Sequence, residues 1–468
     1  MASPRYQPGS TRLVILRAII IMAAMGYFVG KHLHPILLPY GSPVRELPPR
    51  STPWYTTRSR MVQQYQNALR FRHRRTYKLQ APRLQGSETI FTWRNRLFGL
   101  NEAAQLIEIT NLPTPAQEQE FLQANGEAST VWNATTLVLR KNLGIGRPLG
   151  GYVHGDTQYV ADAVLGITQL KHFDQPHSLV ELVTHQVSVL KKLRKRDTHY
   201  TEVTSPIGLA NSVTVGPVTH KIYFTDSTDI PLDRYHDQWD LLYASKLDLL
   251  RGQAAGRLCE YNPTTGITRV LADNLQFANG VAVDPVNEDY LIVTESSGLA
   301  VLKYHLTTSI KTSVDLLTPE EYLQPEVLVA ALPGYPDNVN CVSDSTKTTC
   351  YVAIVADVAA IHVAWKALPY MLQNVLRTTL MILPRAWLPT LPSRYTGILV
   401  VDPVSGEHHY VQDPSGKDIS GLTSATVLQD RLYMGSLQND YVGVYLLSVP
   451  EEKGSSPNDS PSTEKDEL

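Results

Sequence analysis

The stretch Asn279-Gly280-Val281-Ala282-Val283-Asp284-Pro285-Val286-Asn287-Glu288-Asp289-Tyr290-Leu291-Ile292-Val293-Thr294-Glu295 decides the fold. A short apolar run follows an Asn-Gly pair, Asp284 to Glu288 has turn chemistry, and Tyr290 to Thr294 is an aromatic and β-branched run that ends on an acid. Such runs, bounded by Asn, Gly, Asp and Pro, read as two antiparallel strands. A third run, Leu299-Ala300-Val301-Leu302-Lys303-Tyr304, completes the unit.

The unit recurs in both directions. One copy starts at Asn211 and passes through Ser212-Val213-Thr214-Val215 to Lys221-Ile222-Tyr223-Phe224-Thr225-Asp226. Another starts at Arg147 and runs through Gln158-Tyr159-Val160-Ala161-Asp162 to Gly166-Ile167-Thr168-Gln169-Leu170. A fourth starts at Asp337-Asn338 and reaches Cys350-Tyr351-Val352-Ala353-Ile354. A fifth, weaker copy covers Glu88 to Phe91 and Leu106 to Ile109, and a sixth runs from Thr423 through Arg431-Leu432-Tyr433-Met434-Gly435-Ser436 to Leu447. A fourth strand is legible in Ile267 to Leu271, which forms a hairpin with Arg257 to Tyr261, and the pattern returns at Tyr395 to Gly406. Six units of about four strands each predict an all-β chain folded as a six-bladed β-propeller. Each blade buries its faces against its neighbours, so none is stable alone. The segment Val358 to Arg394 breaks the repeat with helical periodicity and is expected as a helical insertion on one face, over the axial pocket, against the rim or in a membrane.

Composition agrees with this class. Tyr (24) outnumbers Phe (8), and Val and Thr are frequent, which favours strands. Net charge is -2, so the basic face of a nucleic-acid binder is not expected. Three cysteines are too few for a disulfide scaffold, but Cys341 and Cys350 flank a polar run and would face each other if it is a hairpin loop. The alternative is two buried thiols.

The ends carry addresses. Residues 13–30 form an apolar run broken by Arg17, preceded by Arg5 and Arg12 and closed by Lys31, as expected of a transmembrane signal anchor with residues 1–12 in the cytosol. A cleaved signal peptide is the alternative, but Ala23-Ala24-Met25-Gly26 makes a poor cleavage site. Lys465-Asp466-Glu467-Leu468 is the retrieval signal of the endoplasmic reticulum and would engage a retrieval receptor. Together these predict a single-pass type II membrane protein whose propeller, residues 83–449, lies in the lumen. Residues 31–82 are read as a basic juxtamembrane linker and 450–468 as a disordered tail. Sequons at Asn133 and Asn458 would be open to glycosylation there.

In a propeller the starts of the innermost strands converge on the axis. Here those starts read Glu88, Asn211, Asn279, and Asp337 with Asn338. A hard divalent cation takes six to eight oxygen ligands, and carboxylates with amides from separate blades supply them.

The motifs Ile145-Gly146-Arg147-Pro148-Leu149-Gly150, Lys221-Ile222-Tyr223-Phe224-Thr225-Asp226, Phe277-Ala278-Asn279-Gly280-Val281 and Pro333-Gly334-Tyr335-Pro336-Asp337-Asn338-Val339 resemble the strictosidine synthase-like family, and within it the adipocyte plasma membrane-associated type. The wider superfamily includes paraoxonases and gluconolactonases. The resemblance implies calcium on the axis, held by Glu88, Asn211, Asn279 and Asp337 with Asn338 alongside. Three departures limit it. Leu149 stands where paraoxonases have a catalytic histidine. Val355-Ala356-Asp357 lacks the catalytic Glu of true strictosidine synthases, which argues against alkaloid condensation. Asn211-Ser212 replaces the usual Asn-Asp pair. The expected activity is calcium-dependent hydrolysis of an ester or lactone, with Asp337, His154 or Asp357 as the base. The alternative is a calcium-stabilised lumenal module that binds a lipid or partner without turnover.

Overall fold

In the computed structural model, six sheets stand around one axis. The structure describes residues 69–71, 75–125, 130–175, 177–193, 199–344, 346–357, 369–388, 395–413, 415–416 and 419–448. The expected anchor and tail, most of the 31–82 linker and Asn458 lie outside these residues. Among the described residues no helix is long and apolar enough to cross a membrane.

The innermost strands are Ile90–Trp93, Pro148–His154, Ala210–Val215, Ala278–Val283, Gly334–Ser343 and Leu422–Leu428. Each touches the next, and the last touches the first, so the ring closes. Most side chains on both faces of these strands are buried, because each blade sheet is sandwiched between two others. This is why Val213, Phe224, Val281, Val293 and Leu302 share one core although their strands show little hydrophobic-polar alternation.

The sixth blade joins the two ends of the propeller. Its strands Leu422–Leu428, Arg431–Ser436 and Tyr441–Leu446 are followed by Thr76–Gln80 from the start of the chain. Thr76 to Gln80 pair antiparallel with Tyr445 to Tyr441, and Tyr77 and Leu79 are wholly buried. This corrects two expectations. Residues 76–80 are a blade strand rather than juxtamembrane linker, and the propeller begins before residue 83. The first blade also holds a strand, Arg96–Leu100, between the two that the repeat predicted.

Cys341 and Cys350 sit opposite each other on adjacent strands and are disulfide-bonded. Cys259 is free and buried. Two helices cover one end of the axis. Leu241–Arg251 lies between the second and third strands of the third blade, and Tyr370–Ile382 occupies the same place in the fifth. They pack together through Leu241, Ala244, Leu247, Leu250 and Met381. Asp240 caps the first helix by accepting from the Tyr243 N–H at 2.9 Å, and Gly252 ends it in the left-handed region. The insertion therefore packs against a second, unanticipated helix.

A candidate cation site on the propeller axis

The site is built by β-bulges. Between Ala210 and Val213, residues Asn211 and Ser212 oppose Thr225 alone. Asn279 and Gly280 oppose Thr294 in the same way, and Asp337 and Asn338 oppose Ala353. A bulge bends its strand and re-aims a side chain that would otherwise point into the blade. Each bulge here turns a carboxylate or amide toward the axis.

Threonine hydroxyls lock the bulges together across blades. The Ser212 N–H donates to Thr225 Oγ1 at 3.1 Å, and Thr225 Oγ1 donates to the Asn279 carbonyl in the next blade. The Gly280 N–H donates to Thr294 Oγ1 at 2.8 Å, and Thr294 Oγ1 donates to the Asp337 carbonyl at 2.6 Å. Thr423 Oγ1 fixes the Glu88 carbonyl at 2.8 Å. Glycine is required at Gly280, because a Cβ there would lie 2.5 Å from the Val339 nitrogen. The acids that end second strands have another role. Asp162 accepts from the N–H groups of Arg147, Val164 and Leu165, and Asp226 from those of Gly208 and Leu209.

Glu88, Asn211, Asn279, Asp337 and Asn338 are all at most 5% exposed. Asn338 Nδ2 lies 3.4 Å from Glu88 Oε1 and 3.3 Å from Asp337 Oδ1, and donates to the Thr423 carbonyl at 3.1 Å. Asn279 Nδ2 donates to Ser296 Oγ at 3.1 Å. Glu88 Oε2, Asn211 Oδ1 and Asn279 Oδ1 are left buried with no hydrogen-bond partner. A buried acceptor without a donor costs about 1–3 kcal/mol, and three converging at the axis fit an electropositive group. Burial pushes the Glu88 carboxyl up to about 7, against the opposing pull of Arg147. Burial and the adjacent Glu88 charge push Asp337 well above the usual carboxylate range. Two carboxylates and amide oxygens, all desolvated, fit a hard divalent cation. Among the described residues no cluster of three or more His, Cys, Asp or Glu could hold a metal, so amide oxygens would have to complete the set.

Of the sequence-predicted site residues, the structure brings these five together and leaves two elsewhere. His154 is at the far end of Pro148–His154, roughly 13 Å along the strand from Gly150, which faces Asn211. Its Nε2 sits 3.0 Å from His220 Nδ1, and it does not line the axial cavity. Asp357 is exposed at the end of Thr348–Asp357, one residue past Val355 and Ala356, which do line the cavity. Neither is placed to act as the base. Asn133 is exposed in a turn.

Above the oxygen floor is a cavity of about 240 Å³. Its walls are mostly apolar, with Leu242, Leu249, Phe277, Tyr335, Val355 and Leu437 among them. Sequence reading missed Arg147 and the Leu241–Arg251 helix. Arg147 is buried and donates to the carbonyls of Pro148 and Gly86, each at 3.0 Å, which places positive charge behind Glu88. The helix had a signal in Asp240, Gly252 and the spacing of Leu241, Ala244 and Leu247.

Fold and site together define a six-bladed propeller with an oxygen-lined axial site under an apolar roof. The strictosidine synthase family model matches residues 211–309, which hold the Asn211 and Asn279 bulges. The adipocyte plasma membrane-associated protein hemomucin of Drosophila melanogaster is 32% identical over 42% of this chain and 28% of its own length. Protein strictosidine synthase-like 4 of Arabidopsis thaliana is 26% identical over 66% and 69%, and the adipocyte plasma membrane-associated protein of Bos taurus is 25% identical over 77% and 78%. These matches support the strictosidine synthase-like family as the family of this chain, as its motifs indicated. Among solved structures, a calcium-binding regucalcin from Agrobacterium tumefaciens is similar, at 10% identity over 81% of this chain and 95% of its own, with a TM-score of 0.41.

Proposed function

We propose that this protein is a calcium-dependent hydrolase of an ester or lactone, held at the membrane of the endoplasmic reticulum with its propeller in the lumen. The observation that carries the site reading is the set of three partnerless buried oxygens, Glu88 Oε2, Asn211 Oδ1 and Asn279 Oδ1, beside Asp337 at the floor of an apolar cavity. Glu88, Asn211, Asn279 and Asp337 would hold the ion, with Asn338 beside them. When bound, calcium supplies a Lewis acid that polarises a carbonyl.

The residues supply the rest. The apolar walls keep bulk solvent away from the acyl chain and strengthen the charge interactions at the floor. Asn338, tied to the Thr423 carbonyl, keeps its amide nitrogen beside both carboxylates. Asp337 takes the proton of the attacking water as the new C–O bond forms. It returns that proton to the leaving oxygen as the acyl C–O bond breaks, so an acid and an alcohol (or a hydroxy acid) result. His154 and Asp357 do not line the cavity, which supports Asp337 over those two as the base. That scarcity of bases also favours the second reading, a calcium-stapled module that binds its ligand without turnover.

The test is hydrolysis of phenyl acetate and a lactone panel by the full chain, with calcium, with chelator, and in the Asn279→Ala/Asp337→Ala double variant. Turnover that needs calcium and is lost in the double variant, but is kept in His154→Ala, supports the hydrolase. No turnover in any arm, with calcium still raising the melting temperature, refutes it for those substrates and selects the binding module.

A further inference from the structure

The Leu241–Arg251 helix has two working faces. Leu241, Ala244, Leu247 and Leu250 pack into the core shared with Met381 and Leu388. Leu242, Ser245, Lys246 and Leu249, at helical spacing i, i+3, i+4 and i+7, line the cavity. Lys246 is the one cationic side chain among the described residues that line it. No carboxylate of the described residues forms an ion pair with Lys246, whereas Lys221 and Lys311 each have one and Arg385 has two. An ammonium gains nothing from the leucines on either side of it, and a wall that only excluded water would be served by an apolar residue at that position.

We propose that Lys246 makes the cavity selective for an amphipathic monocarboxylate, whose apolar chain lies against Leu242, Leu249, Phe277 and Tyr335 while its carboxylate meets the ammonium. This deepens the reading above, because it takes this cavity as the ligand site. Charge complementarity carries it: the walls desolvate an alkyl chain, the Glu88 and Asp337 charges on the floor would be matched by the cation, and half-buried Lys246 is then the one positive charge of the lining left for a single negative charge. A neutral chain of the same length fills the same walls and leaves Lys246 unmatched. A cationic one meets repulsion.

The test compares binding of octanoate, 1-octanol and octylammonium to the full chain by isothermal titration. Wild type, Lys246→Gln, Lys246→Glu and Lys246→Arg are measured in one detergent, so that partitioning cancels. Wild type is expected to prefer octanoate over octanol by about tenfold or more. The preference should be kept in Lys246→Arg, fall to near unity in Lys246→Gln, and turn toward octylammonium in Lys246→Glu. An octanoate preference equal in wild type and Lys246→Gln overturns the proposal. If chelator then removes that preference, the carboxylate sits on the ion instead. The calcium-induced thermal shift is read in parallel and should survive in every Lys246 variant. Its absence in wild type would refute the cation floor while leaving the Lys246 result to stand or fall by itself.

Discussion

Removing divalent cations should make this protein less stable as the pH rises. Glu88 and Asp337 lie side by side out of water, with Glu88 pushed up to about 7 by burial and Asp337 raised by burial and by Glu88. An unfolded Glu titrates near 4.5, so above that pH the folded, cation-free protein keeps a proton that the unfolded chain has released. Stability gained this way is fully present below the unfolded value and is lost as pH rises through the folded one. For Glu88 the interval from 4.5 to about 7, at about 1.4 kcal/mol per pH unit, amounts to roughly 3 kcal/mol. In a propeller of this size that is roughly 3–5 °C of melting temperature. The assay is differential scanning fluorimetry of the full chain in chelator at pH 5 and pH 8, for wild type and Glu88→Gln. The wild-type melting temperature should fall across that range by a few degrees more than that of Glu88→Gln, and millimolar calcium should abolish the excess. Asp248, pushed up to about 6 by burial, contributes to both proteins and cancels in the difference. Identical pH slopes would refute the claim that these two carboxylates face each other unneutralised.

Two further outcomes follow from the fold. A fragment beginning at Arg83 lacks Thr76–Gln80 and exposes the edge of Tyr441–Leu446, so it should aggregate on size exclusion and show no cooperative melt, whereas a fragment from Leu69 should melt in one transition. Gly280→Ala places a Cβ 2.5 Å from the Val339 nitrogen and 2.7 Å from Asn338 Cα. It should cost about 1–3 kcal/mol by denaturant titration and weaken calcium binding by displacing Asn338; an unchanged calcium midpoint would contradict the bulge geometry.

Much of the site was legible because each part is announced locally. Asn211 and Asn279 stand second in their innermost strands and Asp337 early in its own, and strand-turn-strand patterns repeat within short windows. Where the architecture depends on distant partners, sequence reading failed. Thr76–Gln80 follows an Arg-rich run, and its partner strand, Tyr441–Leu446, lies near the other end of the chain. The Arg96–Leu100 strand was hidden because Arg94 and Asn95, both at positive φ, make its turn without glycine. Asp357 ends its strand at an exposed position, past the cavity-lining Val355 and Ala356, and nothing in the local sequence marks where the lining stops. His154 was misplaced by the length of its strand, which carries the side chain to the other end of the axis.

Closure of the sixth blade by its earliest strand also imposes a timetable. Roughly 360 residues separate Gln80 from Tyr441, and at about 5–20 residues per second a ribosome needs roughly 20–70 s to make them. Val131–Trp132 and the Pro115–Asn125 helix can cover one side early, but for that whole interval the edge of Thr76–Gln80 that pairs with Tyr441–Leu446 is bare, the kind of surface that recruits chaperones or neighbouring chains. Synthesis of the last strand, not the first, is the moment at which this molecule stops being an open ribbon.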